Sequence, residues 1–197
     1  MQDTESSWII EAQNGDDSAF VQLIEAYQKP VYNLCYRMLS NPDDAEDAAQ
    51  ETFLRVFKAI RRFDNSRPFG TWLLSIAAHY CIDQIRKRRM SLVSLEDMPY
   101  LELSNQEPGP EANASHKEDQ EQVRSLLSPL NPIDRAAVVM YYWYDFSYDE
   151  IAEVLELTLS SVKSRLHRAR RAMAQVWLKK RPQTLQLERK GHESPAF

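Results

Sequence analysis

Apolar residues recur along the first half of the chain at the spacing of amphipathic helices. Segment 18–39 carries them at positions 20, 23, 24, 27, 31, 34, 35 and 38, which form one helix face. Pro30 lies inside this segment and predicts a kink or a division, because proline lacks the backbone N–H that an α-helix uses. A second helix is predicted over 43–61 and a third over 70–89. The second has one apolar face, formed by Ala45, Ala49, Phe53, Val56 and Ile60.

Residues 91–121 interrupt this periodicity. They contain three prolines, eight acids and one base, with little apolar patterning. Such a segment cannot bury enough apolar surface to fold alone. It is therefore predicted to be a flexible acidic linker.

Helix-start signals return after the linker. Asn131 is placed as an N-cap, with Pro132 at the first helical position. Ser147 and Glu150 have capping-box spacing and predict a short helix over 148–156. Thr158 is placed to cap a further helix. Its apolar stripe comprises Val162, Leu166, Ala169, Met173 and Val176.

These elements predict an all-α protein with two small helical domains joined by the flexible acidic linker. The predicted boundaries are 1–90, 91–121 and 122–181, followed by a patternless, disordered tail at 182–197. A short helix, a turn and a second helix in the second domain describe a helix-turn-helix. A length of 197 residues suits one ordinary domain or two small ones.

The composition indicates in which cellular compartment the protein is found. No apolar run approaches the roughly 18 residues of a membrane span, and the acidic N-terminus does not resemble an export signal. Cys35 and Cys81 stand in apolar helical contexts, as buried thiols in a reducing compartment do. We therefore expect a soluble cytoplasmic protein.

Charge is sorted into blocks within a chain of net charge −5. Residues 1–57 hold eleven acids and three bases, whereas 58–90 hold eight bases and two acids. Residues 158–181 hold eight bases and no acid. The blocks indicate separate surfaces for separate partners, although solvated helix faces are an alternative interpretation.

The basic helix of the second domain has the chemistry of a major-groove reader. Arginine and lysine pair with guanine or phosphate, and serine donates or accepts. The candidate DNA-binding residues on this helix are Ser160, Ser161, Lys163, Ser164, Arg165, His167, Arg168 and Arg171. The alternative is an exposed, arginine-rich amphipathic helix without a ligand.

In the first domain, aromatic and basic residues alternate. Rings stack on unpaired bases and cations hold the backbone, which is the pattern of single-strand binding. The aromatic residues are Phe63, Phe69, Trp72 and Tyr80, and the basic ones are Arg61, Arg62, Arg67 and the cluster Arg86, Lys87, Arg88 and Arg89. Trp72 is equally well explained as a core residue. The cluster at 86–89 is interpreted as phosphate contacts.

The second helix presents a different surface opposite its apolar face. Leu54 is predicted to be exposed there among Asp47, Gln50, Glu51 and Lys58. An exposed leucine among acids suits docking to a basic partner helix. A solvated face would look similar.

Three stretches, taken in order, resemble a known family. They are DAEDAAQETFLRVF, FDNSRPFGTWLLSIAAHYCIDQIRKRR and LNPIDRAAVVMYYWYDFSYDEIAEVLELTLSSVKSRLHRARRAM. Over residues 9–177 the chain resembles bacterial sigma factors of the extracytoplasmic-function group of the sigma-70 family. The resemblance implies a subunit that binds the RNA polymerase core and directs it to promoters. The first domain would be region 2 and the second region 4.

The resemblance also implies residue roles. Asp47, Gln50, Glu51 and Leu54 would face the clamp helices of the largest polymerase subunit, and region 4 would contact the flap of the second largest. Region 2 would capture the unpaired −10 strand, and region 4 would read the −35 duplex. The −10 residues would be Arg61, Arg62, Asn65, Ser66, Arg67, Phe69, Trp72, His79 and the cluster at 86–89. The linker would lead towards the active-site channel, and an anti-sigma factor would hold the chain inactive, for instance at the membrane.

Three positions depart from the family pattern. His79 stands where Asn is usual, and Glu156 stands where the helix-turn-helix turn usually has Gly. Glu156 is thus expected either at a strained positive φ or in a different turn. Ser160 replaces a common Gly at the start of the recognition helix.

Two other functions are alternatives. An autonomous helix-turn-helix regulator would need only the second domain, which leaves 43–90 unexplained. A DNA-processing enzyme is disfavoured, because the paired acids Asp43 and Asp44 fall at a helix start. We expect no enzymatic activity, no cofactor and no metal, since the four histidines lack metal-ligand spacing.

Overall fold

The computed structural model describes residues 2–95 and 114–180, and within these ranges every regular element is helical. The all-α fold class is thus confirmed. The α-helices are α1 (Gln2–Gln13), α2 (Asp17–Leu39), α3 (Pro42–Ala59), α4 (Phe69–Leu95), α5 (Ala114–Leu127), α6 (Pro132–Trp143), α7 (Tyr148–Val154) and α8 (Leu159–Lys180). A 3-10 turn, Ile60–Arg62, follows α3.

The predicted caps are confirmed. Asn131 caps α6 by accepting from the backbone of Asp134, with Pro132 in the first turn. Ser147 and Glu150 form both halves of a capping box on α7. At the start of α8, the Ser161 N–H donates to Thr158 Oγ1 over 3.2 Å. α7 ends at Val154, two residues before the predicted boundary.

The helix boundaries differ from the expected ones at three places. α2 passes through Pro30 without a break, because packing along the whole helix outweighs the loss of one hydrogen bond. α1 was not predicted. Helix also occupies both ends of the predicted linker, at 91–95 and 114–121. The rest of that linker and the tail at 182–197 lie outside the described residues.

The first four helices share one apolar core. α2 packs against α1, α3 and α4. Leu23, Leu34, Met38 and Leu73 are fully buried among them. The buried hydroxyl of Thr52 donates to the Ala48 carbonyl, so it carries no unsatisfied polar group into this core. We call this unit the first helical region.

The second helical region, α5 to α8, is smaller. α8 packs against α5, α6 and α7. Val162, Leu166 and Ala169 of the predicted stripe are buried in the core that includes Ile151 and Met140, whereas Met173 and Val176 are half-buried. The outer face of α8 is left to solvent.

The two regions contact one another mainly through α6 and the residue that follows it, with smaller contacts from α5 and α7. The Arg135 Nη1 donates to the Met38 carbonyl at the end of α2 over 2.6 Å. The Tyr144 hydroxyl donates to the Pro30 carbonyl over 2.6 Å. Burial lowers the pKa of Arg135 and raises the pKa of Tyr144 to about 12. The second helical region thus rests on α2 and on the neighbouring α4.

Candidate nucleic-acid and protein interfaces

The loop between the 3-10 turn and α4 is anchored by a glutamine from α1. Gln13 Nε2 donates to the carbonyls of Ile60 (3.0 Å) and Phe63 (2.8 Å). Its Oε1 accepts from Asn65 Nδ2 over 2.9 Å. One side chain therefore fixes both ends of the turn before the loop. Sequence reasoning missed this role, because the contact joins positions some fifty residues apart.

A tight turn at Asp64 exposes the loop tip. The Ser66 N–H donates to Asp64 Oδ1 and the Arg67 N–H donates to the Asp64 carbonyl, each over 3.0 Å. The hydrogen bonds from Ser66 lower the pKa of Asp64, so the carboxylate stays ionised. Asn65, Ser66 and Arg67 are exposed as predicted.

The loop borders a cavity of about 820 Å³. Asn65, Ser66 and Arg67 line one side, and Tyr144 and Phe146 of the second helical region line another. The space falls within the range of small-ligand sites, about 300–1,000 Å³, and is sufficient for a nucleobase.

The aromatic residues beside this loop are mostly structural. Phe63 and Phe69 are 7% and 4% exposed, and their ring centroids lie 5.4 Å apart. Phe69 therefore supports the loop from below and presents no ring face for stacking, which corrects its predicted role. Trp72 packs on Phe63 at 4.7 Å and remains half-buried. The Tyr80 ring is covered by the Arg55 guanidinium at 4.8 Å.

The basic side of α4 is largely open to solvent. His79 is exposed, with Nδ1 2.9 Å from the Ser75 carbonyl oxygen. Arg86, Lys87 and Arg89 are exposed, as are Arg61 and Arg62 in the 3-10 turn. Two of the α4 arginines are paired with carboxylates. Arg86 lies 3.9 Å from Asp83 of the same helix, and Arg88 pairs with Asp44 of α3, which raises the pKa of Arg88.

The residues predicted to form a docking patch lie on one side of α3, and a further exposed apolar residue lies beside them. Asp47 and Gln50 are exposed, and Glu51 bonds Arg55 at 2.8 Å. Leu54 is 54% exposed, and Phe57, which was not predicted, is 51% exposed. Its position three residues after Leu54 could have identified it, because residues three apart lie on one helix face.

Most candidate residues of α8 face solvent. Ser160, Lys163, Ser164, His167, Arg168 and Arg171 are exposed, and Ser161 is half-buried. Arg165 is the exception, because its Nη1 donates to Asp134 of α6 over 2.7 Å and its side chain is 23% exposed. Arg165 therefore holds α8 against α6 instead of pointing outward.

The turn before α8 uses a strained residue. Glu156 has a φ of 53°. This is the strained, positive φ that was one of the two expectations for this position. The Leu157 N–H donates to the Ala152 carbonyl over 2.8 Å, which is a Schellman-type ending that normally favours glycine. This geometry sets the angle between α7 and α8.

Two kinds of feature are absent from the described ranges, 2–95 and 114–180. None of the helices there combines the length and the apolarity that crossing a membrane demands. The same ranges contain no group of three or more His, Cys, Asp or Glu side chains arranged to hold a metal ion.

Comparison with known proteins identifies both regions. The Sigma-70 region 2 family matches residues 23–90, and the Sigma-70 region 4 family matches residues 120–173. The chain is 34% identical over 172 residues to the ECF RNA polymerase sigma factor SigW of Bacillus subtilis, covering 84% of this chain and 92% of SigW. The chain belongs to the extracytoplasmic-function sigma factors.

A second relative and two solved structures are also similar to this chain. The sigma factor is 32% identical over 177 residues to SigE of Mycolicibacterium smegmatis, covering 87% of this chain and 68% of SigE. Its fold matches CnrH, solved with the cytosolic domain of CnrY, with a TM-score of 0.66, 21% identity and coverage of 90% and 99% of the two chains. It also matches RpoE of Bartonella quintana, solved with the anti-sigma factor NepR, with a TM-score of 0.63, 21% identity and coverage of 82% and 98%.

The protein is thus an RNA polymerase-binding factor for promoter-specific initiation, with the first helical region as sigma region 2 and the second as region 4. The alternative of an autonomous regulator is not favoured, since such a regulator has no use for region 2.

Proposed function

We propose that region 2 of this sigma factor captures the −10 strand with the exposed loop tip and the basic side of α4. The observation that carries the proposal is the loop itself. Gln13 and Asp64 hold its backbone, so Asn65, Ser66 and Arg67 stand beside a cavity that could take a base. His79 and the exposed bases of α4 would then hold the strand's phosphates.

The −35 element is assigned to the outer face of α8. The exposed side chains at the start of that helix could enter a major groove, with Arg168 and Lys163 as donors to bases or phosphates. Arg165 is withdrawn from this set, because Asp134 occupies its guanidinium. Ser161 is half-buried, and its backbone N–H donates to the capping Thr158 Oγ1.

The polymerase contact is assigned to the α3 patch. Leu54 and Phe57 are apolar side chains that remain half exposed on an otherwise acidic and polar helix. An apolar centre with a charged rim is typical of a protein interface. The partner would be the clamp helices of the largest subunit, while region 4 would contact the flap of the second largest.

The remaining assignments follow from family membership. The solved complexes of CnrH with CnrY and of RpoE with NepR support a regulator of the anti-sigma type for this chain also. We place the protein in the bacterial cytoplasm, with or without retention at the membrane by that regulator. We assign it no catalytic activity of its own. The functional boundaries are proposed near 1–90 and 122–181, and the family matches, over 23–90 and 120–173, support the two-part division.

Polymerase binding tests the α3 patch. Leu54→Ala and Phe57→Ala should each weaken binding to the core enzyme about 10-fold or more, since central apolar anchors commonly contribute over 1 kcal/mol. Affinity would be measured with labelled sigma factor and purified core. Leu178→Ala is the matched control, because Leu178 is an exposed leucine (68%) at the end of α8. Equal affinities for all three variants would contradict the assignment.

Transcription tests the α8 assignment. Holoenzyme with the wild-type factor would first select promoters from a randomised library. Transcription from the selected promoter, with and without its −35 sequence, would then be measured for holoenzyme containing each variant. Arg168→Ala should cost about 1–3 kcal/mol in −35-dependent initiation if it contacts a base. Lys179→Ala, at the exposed end of the same helix, should have little effect. A −35 preference unchanged by Arg168→Ala would remove that residue from the reading face.

A further inference from the structure

The side-chain amide of Gln13, the last residue of α1, can be oriented in only one way. Its Nε2 lies 3.0 Å from the Ile60 carbonyl oxygen and 2.8 Å from the Phe63 carbonyl oxygen. A carbonyl oxygen accepts hydrogen bonds and never donates them, so the amide atom between the two carbonyls must be the nitrogen. The Gln13 Oε1 is thereby fixed on the opposite side of the amide, where it can only accept.

This orientation is passed on to Asn65 at the loop tip. The Asn65 atom that contacts Gln13 Oε1 lies 2.9 Å from it and must be the donor, Nδ2. The acceptor, Oδ1, lies on the other side of that amide, away from Gln13. Asn65 is exposed and lines the cavity beside the loop. Two backbone carbonyls thus determine, through two amides in series, that Asn65 offers an acceptor to a ligand in the cavity.

The two neighbouring side chains of the loop tip do not have a fixed acceptor of this kind. Arg67 carries donors only. The Ser66 hydroxyl can rotate, and it therefore serves either as a donor or as an acceptor. Among these three exposed tip residues, Asn65 is the one whose hydrogen-bonding polarity is set by the fold.

The bases of DNA differ at the edge that such an acceptor would contact. Adenine and cytosine carry an exocyclic amine, which is a donor, where guanine and thymine carry a carbonyl oxygen. An unpaired base can present this edge to a protein side chain. A fixed acceptor at Asn65 would pair with the amine of adenine or cytosine, but it would place two oxygen acceptors against each other if thymine entered the cavity.

We propose that Gln13 is a positioning residue for −10 recognition, which acts through Asn65 to make the loop prefer adenine or cytosine to thymine at the base that this side chain contacts. The inference rests on the −10 role proposed above for the loop tip. Gln13 itself contacts no DNA in this arrangement. It acts from α1, a helix that precedes the residues matched to sigma region 2.

Two substitutions at Gln13 separate its effect on base preference from its effect on the loop backbone. Gln13→Lys keeps donors for the carbonyls of Ile60 and Phe63 but turns a donor towards Asn65, whose amide should then rotate and offer Nδ2 to the base. Gln13→Glu does the opposite, because a carboxylate accepts from Asn65 and cannot donate to the carbonyls. The lysine variant should therefore lose or reverse the base preference. The glutamate variant should keep the preference while it weakens the loop.

Open-complex formation by reconstituted holoenzyme provides the measurement. Holoenzyme with the wild-type factor first selects promoters from a library randomised over the −10 element, and Asn65→Ala holoenzyme identifies the position whose preference depends on Asn65. All four bases are then compared at that position, together with uracil, which carries a carbonyl where cytosine carries its amine. For the wild type we expect open complexes to form about 2- to 10-fold faster with the preferred amine-bearing base than with thymine or uracil, the factor equivalent to one net hydrogen bond.

Two controls separate this effect from charge and from loop disorder. Gln28→Lys makes the same substitution at an exposed position of α2, and it should keep the base preference of the wild type. Amide hydrogen exchange reports whether each Gln13 variant still holds the loop. We expect wild-type protection of the loop amides in Gln13→Lys and faster exchange in Gln13→Glu.

Three results would overturn the proposal. They are a wild-type preference for thymine or guanine at the position that depends on Asn65, a wild-type preference retained by Gln13→Lys, or a preference lost in Gln13→Glu. Failure of the −10 assignment itself looks different. In that case Asn65→Ala and Arg67→Ala holoenzymes would form open complexes on every −10 sequence as the wild type does, and no position would depend on Asn65.

Discussion

The two regions of this sigma factor use the same four-residue pattern in different surroundings. Asn-Pro-Asp-Asp (41–44) starts α3, and Asn-Pro-Ile-Asp (131–134) starts α6. In both, the asparagine accepts a hydrogen bond from the backbone of the aspartate three residues later. In both, that aspartate pairs with an arginine from another helix, Arg88 in region 2 and Arg165 in region 4.

The pairs differ in exposure. The side chains of Arg88 and Asp44 are 51% and 26% exposed, whereas those of Arg165 and Asp134 are 23% and 9% exposed. Asp134 also accepts from Asn131 Nδ2 over 2.7 Å. Region 4, with its smaller core, thus positions its recognition helix through a buried polar network. Region 2 relies on apolar packing and leaves its pair near the surface.

Replacing the aspartate of each pair by alanine should give the largest difference in stability between the two regions. Asp134→Ala leaves the Arg165 guanidinium poorly solvated and without its carboxylate partner, and should reduce the free energy of unfolding by about 3 kcal/mol. Asp44→Ala should cost about 1 kcal/mol or less, since water replaces the partner. Urea denaturation of the full chain measures both. Equal losses would show that burial does not distinguish the pairs.

The two regions also differ in how they hold the connections between their helices. A substitution at Gln13 should have the next largest effect on stability. The loop of region 2 depends on a distant side chain, while the turn of region 4 depends on local backbone bonds. Gln13→Ala removes three hydrogen bonds and should cost about 2 kcal/mol. Gln28→Ala, exposed on α2, should cost little. Faster amide hydrogen exchange in the loop of Gln13→Ala, and nowhere else, would confirm that the lost stability comes from the loop. Unchanged protection of the loop amides would contradict this explanation.

The two asparagine caps should differ by a smaller amount. Asn41→Ala should cost about 1 kcal/mol, as is usual for an N-cap. Asn131→Ala should cost more, about 2 kcal/mol, because it also removes a donor from the buried Asp134 carboxylate. Thermal unfolding of the two variants gives the comparison. If Asn41→Ala lost more stability than Asn131→Ala, the hydrogen bond from Asn131 to the buried Asp134 carboxylate would contribute nothing beyond the N-cap.

The smallest effects are expected where each region has a non-glycine residue in the left-handed conformation. Ser40 after α2 has a φ of 61°, and Glu156 after α7 has a φ of 53°. Replacing either by glycine relieves strain of about 1 kcal/mol, partly offset by the greater freedom of the unfolded chain. Net stabilisation of less than about 1 kcal/mol is expected for each. Destabilisation by Glu156→Gly would show that its side chain supports the turn.

Sequence reasoning predicted the features that depend on near neighbours. The caps at Asn131, Ser147 and Thr158 and the buried part of the α8 stripe involve residues within a few positions of each other. A positive φ at Glu156 was one of two expectations drawn from the family pattern, and the structure has it. The family resemblance, from motifs in their order and spacing, was confirmed by the matches to regions 2 and 4.

Predictions failed where distant packing decides. Pro30 does not interrupt α2, since contacts along the rest of the helix compensate for it. Phe69 became a core residue because Phe63 and Tyr27 close around it. α1 has little amphipathic signal of its own, yet it packs on α2 and supplies the glutamine that holds the loop.

Sequence alone specified where most helices begin and which family the chain resembles, because caps and periodicity act through contacts three or four residues apart. Tertiary structure decided which charged side chains remain exposed and free to bind a partner. Arg165 and Arg168 stand three residues apart on one basic helix, but only Arg165 meets the buried Asp134. Arg67 likewise meets Glu153 across the two regions. Solvent exclusion and pairing depend on which distant helices meet, and no local pattern encodes that.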